Sequence, residues 1–96
     1  MPAREVSPRL ERWVRRTFDA GSVEPVLAEL RALPDIAVGL QDVERIQAAL
    51  VIRTGGDWDA FQRMLLLVNQ DWRDALVAGE LAHGDWPERL DAVLGR

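Results

Sequence analysis

Apolar residues recur every three to four positions along almost the whole chain, and this spacing constrains the fold more than any other feature. Such a period places them on one side of an α-helix. A half-buried strand would need alternation at every second position, and no segment sustains it. Clear start and stop signals divide the pattern into short pieces. The sequence therefore predicts an all-α fold, a compact bundle of about five to six short helices.

Punctuation by proline and glycine sets the expected helix ends. Pro34 should end the second helix, because the residue before a proline avoids helical geometry. Gly21 should end the first helix in the left-handed conformation that glycine tolerates. Residues 35–40 allow either a loop or the first turn of the third helix. The predicted helices span about residues 8–20, 23–33, 41–54, 58–69, 72–82 and 86–94.

Small polar residues precede several of these segments and can cap their amino termini. A capping side chain accepts a hydrogen bond from a backbone N–H that the helix leaves unpaired, and it contributes about 1 kcal/mol. Pro8, directly after a serine, suits the first helical position. Glu88 would complete a reciprocal capping box at the last helix. The predicted caps are Ser7, Ser22, Asp57, Asp71 and Asp85.

The dipeptide Asp-Trp occurs at residues 57, 71 and 85, so the interval is 14 residues each time. We interpret the dipeptide as a repeated helix start. The aspartate caps the helix, and its negative charge interacts favourably with the positive end of the helix dipole. Residues 58–82 could instead form one continuous helix, because an interval of two heptads keeps the apolar residues on one side. The Asn-Gln-Asp stretch at 69–71 favours a break between two helices.

Residues 44–82 also resemble a group of small uncharacterised bacterial proteins, found mainly in actinobacteria. In that group a Glu-Arg helix leads into Gly-Asp, then a second helix, then Asp-aromatic-Arg-Asp-apolar-Leu. The resemblance implies a shared fold and carries no activity with it. The matching positions are Glu44, Arg45, Gly56, Asp57, Asp71, Trp72, Arg73, Asp74 and Leu76.

Length and composition favour one globular domain over residues 1–96, with residues 1–6 as a flexible amino terminus. The absence of cysteine excludes disulfides, thiolate metal sites and thiol catalysis. The longest apolar runs, 48–52 and 64–68, are far shorter than the roughly 20 residues that span a bilayer. The amino terminus lacks the apolar core of a signal peptide. We therefore expect a cytoplasmic protein with no membrane association.

Residues that commonly carry catalysis are scarce. The single histidine, His83, stands where it can cap the end of a helix, and both serines are predicted caps, so a Ser-His-Asp triad is not expected. The aspartates lack the spacing of a calcium loop, and the glycines lack that of a phosphate loop. A net charge of −4 disfavours nucleic-acid binding. The sequence therefore predicts no enzyme activity, metal or cofactor.

Apolar residues outside the main stripes are the strongest indication of function. Val51 and Ile52 depart from the stripe of the third helix, and Leu66 and Leu67 from that of the fourth. A helix that is apolar most of the way round is either central or covered twice, and an uncovered apolar patch typically marks a partner site. We therefore predict a non-catalytic protein-interaction module whose partner is another protein or a second copy. A homodimer is the simplest assembly.

Tryptophan content suggests an alternative function. The chain contains four tryptophans, at positions 13, 58, 72 and 86, and this residue is common both in cores and at binding sites. The alternative is a small-ligand or regulatory binding domain with a tryptophan-lined pocket between helices.

Overall fold

The computed structural model describes residues 4–95, and this range folds into seven α-helices with no strand. The all-α prediction is confirmed. The additional helix is a short one in the segment that the sequence left open. The helices are α1 (Pro8–Thr17), α2 (Ala20–Arg31), α3 (Asp35–Val38), α4 (Val43–Val51), α5 (Trp58–Gln70), α6 (Trp72–Ala78) and α7 (Trp86–Leu94).

Helix α4 lies at the centre of the bundle. It packs against α1, α5, α6 and α7, and all of its residues from Ile46 to Val51 are buried. The surrounding helices each turn one apolar side toward it, with fully buried Leu10, Leu27, Phe61 and Leu90 in the core. Among the helices of residues 4–95, none is both long enough and apolar enough to cross a membrane.

Three predicted caps occupy their expected places. Ser7, Asp57 and Asp71 precede α1, α5 and α6, and each side chain accepts from a backbone N–H two or three residues later at 3.0 to 3.3 Å. Asp71 also separates α5 from α6, because its backbone is extended, with φ −160° and ψ 111°. Residues 58–82 therefore form two helices and not one.

The cap predicted for α2 is wrong. Asp19, not Ser22, stands at the N-cap, and its carboxylate accepts from the Ser22 N–H at 3.0 Å. Helix α2 consequently starts earlier than predicted, and Gly21 lies in its first turn instead of ending α1. A negatively charged cap also gains from the positive end of the helix dipole, an advantage that a serine lacks.

The capping box predicted for α7 is also wrong. Asp85 stands at the N-cap position, but its side chain makes no capping hydrogen bond. Its backbone, with φ −86° and ψ 14°, is not in the extended conformation that normally directs a cap toward the helix. The carboxylate accepts from Arg89 Nε at 3.1 Å instead, so Glu88 has no capping partner to reciprocate.

Helix α6 ends several residues earlier than predicted. The N–H groups of Glu80 and Leu81 bond back to carbonyls in its last turn, at 3.1 and 2.9 Å, which is the arrangement of a Schellman motif. Glu80 takes the left-handed position, with φ 63°, that glycine usually occupies. Gly79 precedes this left-handed residue, and it lies where α6 packs directly on α4. A Cβ added to Gly79 would lie 2.6 Å from the Ala49 carbonyl oxygen.

The first described residues are attached to the bundle. The Arg4 N–H donates to the Arg31 carbonyl at 2.9 Å, and its guanidinium donates to the Leu33 carbonyl at the same distance. Residues 4–6, predicted to be flexible, are thus held against the end of α2. Residues 1–3, which share that prediction, lie outside the described residues.

Candidate interaction surface

The structure separates the four residues predicted to form an interface. Val51 is completely buried in the central helix, so it belongs to the core and cannot contact a partner. Ile52 and Leu67 are half-buried and pack against the core. Leu66 is exposed, with 67% of its surface accessible. The apolar excess of α4 therefore reflects its central position, and the four residues do not form one patch.

The exposed Leu66 is isolated on its helix. Its neighbours one turn away in either direction, Gln62, Arg63, Asn69 and Gln70, are all polar. A single leucine among polar side chains is common on the surface of monomeric proteins. Leu66 on its own therefore does not indicate a binding site.

A continuous groove lies where the end of α4, the end of α6 and the exposed side of α7 meet. It consists of two adjoining cavities of about 240 and 250 Å³ that share Glu80 and Arg89 in their walls. We call it the α6–α7 groove. Val77 and Val93, one in the wall of each cavity, are 66% and 41% exposed, whereas Leu81 in the wall is buried. Its apolar side chains are Ile52, Val77, Leu81, Ala82, Ala92 and Val93.

Two local features shape this groove. Gly79 lets the end of α6 lie directly on α4, which brings the following turn beside Ile52. Arg45 of α4 then fixes the segment between α6 and α7. Its Nε donates to the Leu81 carbonyl at 2.9 Å, and its guanidinium lies 5.0 Å from the centre of the Trp86 ring. The groove is therefore formed by the fold itself and does not depend on a ligand.

The rim of the α6–α7 groove carries charges of both signs. Arg53 pairs with Glu80 at 3.3 Å, and Arg89 pairs with Asp85 at 3.1 Å. All four side chains are roughly half exposed. Exposed ion pairs of this kind contribute only about 0–1 kcal/mol, so each charged group can exchange its partner at little cost.

A second apolar surface projects from α3 and the turn that follows it. Ile36 and Leu40, four residues apart, are 74% and 102% exposed, the largest values among the large apolar side chains described. We call this pair the α3 knuckle. Gly39 holds the turn in place, with φ 60° and its backbone against the Trp72 ring, where an added Cβ would lie 3.3 Å from Nε1. The knuckle is thus preformed beside the start of α6.

The four tryptophans pack against the core. Trp13, Trp58, Trp72 and Trp86 are each partly buried there. Neither cavity of the α6–α7 groove has a tryptophan in its walls. The predicted tryptophan-lined pocket therefore does not correspond to this groove.

A partly buried ionic cluster joins α1, α4 and α7. Arg9 pairs with Glu44 at 2.7 Å and with Asp91 at 2.6 Å, and it donates to the Gly95 carbonyl at 2.8 Å. Ser7 Oγ donates to the same Glu44 carboxylate at 2.5 Å. The hydrogen bond from Arg9 lowers the pKa of Glu44; desolvation opposes this effect and the bond from Ser7 adds to it. These groups satisfy one another and serve the fold.

The cluster predicts a specific pH dependence for Glu44→Gln. We expect this change to reduce the free energy of unfolding by about 1–3 kcal/mol at neutral pH, because it removes charge-assisted hydrogen bonds. The folded-state pKa of Glu44 lies below the unfolded value of about 4.3, so its contribution is complete above that value. The contribution is lost as the pH falls through the lower folded-state pKa. Urea unfolding of the wild type and of Glu44→Gln measures this contribution between about pH 3 and 7, the range in which carboxyl groups titrate.

Glu24→Gln is the matched control, because Glu24 is 69% exposed and pairs only on the surface, with Arg15. Its effect should stay within about 0.5 kcal/mol at every pH. A stability difference for Glu44→Gln that does not change with pH would contradict the charge-assisted role.

Residues suited to metal binding do not converge in the described part of the chain. Between residues 4 and 95, no group of three or more histidine, aspartate or glutamate side chains is placed to hold a metal ion. His83 lines the groove and is exposed. Comparisons of the chain with known protein families, with curated proteins and with solved structures find no match.

Proposed function

We propose that this chain is a cytoplasmic, non-catalytic helical module that binds a second copy of itself through the α6–α7 groove. One observation carries the proposal: two adjoining cavities have six apolar side chains in their walls, and two of these side chains, Val77 and Val93, are exposed. Contiguous apolar surfaces typically mark partner sites, whereas isolated ones do not.

The α6–α7 groove can accept the side chains of a protein partner. Its two adjoining cavities have volumes of about 240 and 250 Å³. Side chains of a partner can fill such shallow cavities one at a time. The net charge of −4 also makes a nucleic acid an unfavourable partner.

A second copy is the simplest partner for this surface. The rim presents Arg53 and Arg89 beside Glu80 and Asp85, so it has no single sign that would select a strongly acidic or basic protein. Symmetric homo-oligomers are the commonest assemblies of soluble proteins.

We also propose that the resemblance of residues 44–82 to small uncharacterised bacterial proteins reflects a shared fold. Two residues of the matching pattern have structural roles in this chain. Glu44 pairs with Arg9, and Arg45 donates to the Leu81 carbonyl. Residues with such roles support a common architecture and say nothing about a common ligand.

Light scattering after size exclusion, over a range of micromolar concentrations, tests the proposal. We expect the wild-type molar mass to rise above the 10.8 kDa of one chain as concentration increases. Val93→Arg should stay near 10.8 kDa, because it places a charge in the groove. The added cation lies near the carboxyl end of α7, where it is compatible with the helix.

Leu66→Arg is the matched control, because it adds the same charge at an exposed leucine outside the groove. It should associate as the wild type does. A wild type of 10.8 kDa at every concentration would overturn the proposal. Loss of association in Leu66→Arg alone would move the interface to α5.

A further inference from the structure

We propose that residues 4–6 form a strap that opens as a local unit while the helices stay folded, and that its opening hydrates Gln47 and loosens α3. The basis is a juxtaposition: a buried amide with an unpartnered oxygen is bonded to a short, lightly held segment of chain. The inference does not depend on self-association.

Arg4 provides the main attachment of the strap. Its N–H donates to the Arg31 carbonyl and its Nε to the Leu33 carbonyl, each at 2.9 Å. Its guanidinium also pairs with Asp35, and the two side chains are 24% and 79% exposed. Bonds this close to solvent are readily exchanged for bonds to water, so the attachment is weak.

The rest of the strap covers little apolar surface. Glu5 is exposed, and Val6 is only half-buried against the core. Ser7, which follows the strap, is held in place, since it accepts from the Leu10 N–H and donates to the Glu44 carboxylate. The strap can therefore lift at Ser7 without disturbing α1. Segments with so few buried contacts open at a lower free energy than the core.

Gln47 gives the open state an advantage. It is fully buried, and its Nε2 donates to the carbonyls of Glu5 and Leu30, each at 3.1 Å. Its Oε1 is buried with no hydrogen-bond partner among the described residues, so the closed state loses the hydration of that oxygen. When the strap lifts, water replaces the Glu5 carbonyl at Nε2 and comes within reach of Oε1 on the same planar amide. Opening therefore gains a hydrogen bond that the closed state lacks.

The strap also holds the segment that carries α3, residues 34–39. Arg4 bonds to the Leu33 carbonyl and to the Asp35 side chain, one on each side of the point where this segment starts. Helix α3 is a single turn, closed by a bond from the Gly39 N–H to the Asp35 carbonyl at 2.7 Å. Such a short helix depends on contacts outside itself. A partner of the α3 knuckle that prefers one strap state would therefore shift the strap toward that state.

Hydrogen exchange of the wild type, followed residue by residue by NMR, tests the opening. The Arg4 N–H and the Nε2 hydrogens of Gln47 report on the strap, and the Leu50 N–H reports on the central helix. We expect the two strap probes to share one protection factor, at least about a hundredfold below that of Leu50. Low concentrations of urea should accelerate exchange at Leu50 alone, because the strap exposes little surface when it opens.

Two results in the wild type would overturn the proposal. If the Gln47 side chain has the protection of Leu50, its amide meets water only when the whole chain unfolds. If Gln47 and Arg4 have different protection factors, the strap does not open as the unit that hydrates Gln47.

Arg4→Met tests the attachment. It keeps an aliphatic side chain and removes the donors to the Leu33 carbonyl and to Asp35. We expect exchange of the Gln47 Nε2 hydrogens and of the Gly39 N–H to accelerate together, by at least about tenfold. Unchanged exchange at Gln47 would show that Arg4 does not hold the strap, and unchanged exchange at Gly39 would show that the strap does not hold α3.

Arg12→Met is the matched control, because it makes the same chemical change at an exposed arginine of α1. Exchange at Gln47 and Gly39 should stay at the wild-type rate. Equal acceleration by the two variants would contradict a specific role for Arg4 and overturn the strap.

Discussion

Gly79→Ala should destabilise the protein by about 3 kcal/mol or more, because α6 lies too close to α4 to admit a methyl group. The added Cβ would lie 2.6 Å from the carbonyl oxygen of Ala49 and 2.7 Å from its Cα. Both are backbone atoms of the central helix, so relief requires a shift of α6 as a whole. Chemical unfolding in urea measures the change. The same shift would distort the α6–α7 groove.

Gly84→Ala is the matched control for this prediction. Gly84 follows the same helix in an exposed turn, and a Cβ added there would meet nothing within 4 Å. Its effect should lie within about 0.5 kcal/mol, with a slight gain if the alanine restricts the unfolded chain. Equal stabilities for the two variants would show that α6 and α4 do not approach as described.

Gln47→Glu should cost about 3–5 kcal/mol at neutral pH, a large part of the roughly 5–15 kcal/mol that stabilises a typical domain. Gln47 is fully buried, and its Nε2 donates to the carbonyls of Glu5 and Leu30, each at 3.1 Å. Its Oε1 is buried without a hydrogen-bond partner among the described residues. The substitution turns the donor into an acceptor that faces two carbonyl oxygens, in a site that disfavours charge.

The cost of Gln47→Glu should depend on pH with a predictable sign. Burial and the two carbonyls raise the folded-state pKa of the introduced carboxyl above its unfolded value. The penalty for charge is therefore complete above that raised pKa. It disappears as the pH falls toward the unfolded value of about 4.3. The loss in free energy of unfolding relative to the wild type should therefore be smaller at about pH 5 than at about pH 8.

Gln70→Glu makes the same chemical change at an exposed position at the end of α5. It should cost only a few tenths of a kcal/mol, from the negative end of the helix dipole. Equal costs for the two substitutions, or a cost at Gln47 that is constant with pH, would contradict the buried donor role.

Local signals explain which parts of the fold could be predicted from the sequence. Ser7, Asp57 and Asp71 were correct because a cap and its N–H partner lie within three residues of each other. The predicted start of α2 is wrong because two candidate caps lie within three residues of each other. Asp19 and Ser22 are both good caps, and the sequence alone does not decide between them.

The candidate surface was harder to predict because it depends on distant contacts. The sequence shows the apolar excess at Val51 but assigns it wrongly to an interface, because only tertiary packing shows that α4 is the central helix. The groove depends on Gly79 meeting Ala49 and on Arg45 reaching the Leu81 carbonyl. A glycine near the end of a predicted helix was a usable signal, but the sequence does not show that it serves close packing instead of the left-handed position.

The ionic cluster around Arg9 bears on how the protein opens. Helices α1 and α7 lie far apart along the chain and could open independently if nothing joined them. Arg9 of α1 binds Asp91 of α7 and the carbonyl of Gly95, so neither helix can detach without breaking bonds to the other. Slow hydrogen exchange in one should therefore be accompanied by slow exchange in the other. The first and last helices then belong to a single cooperative unit.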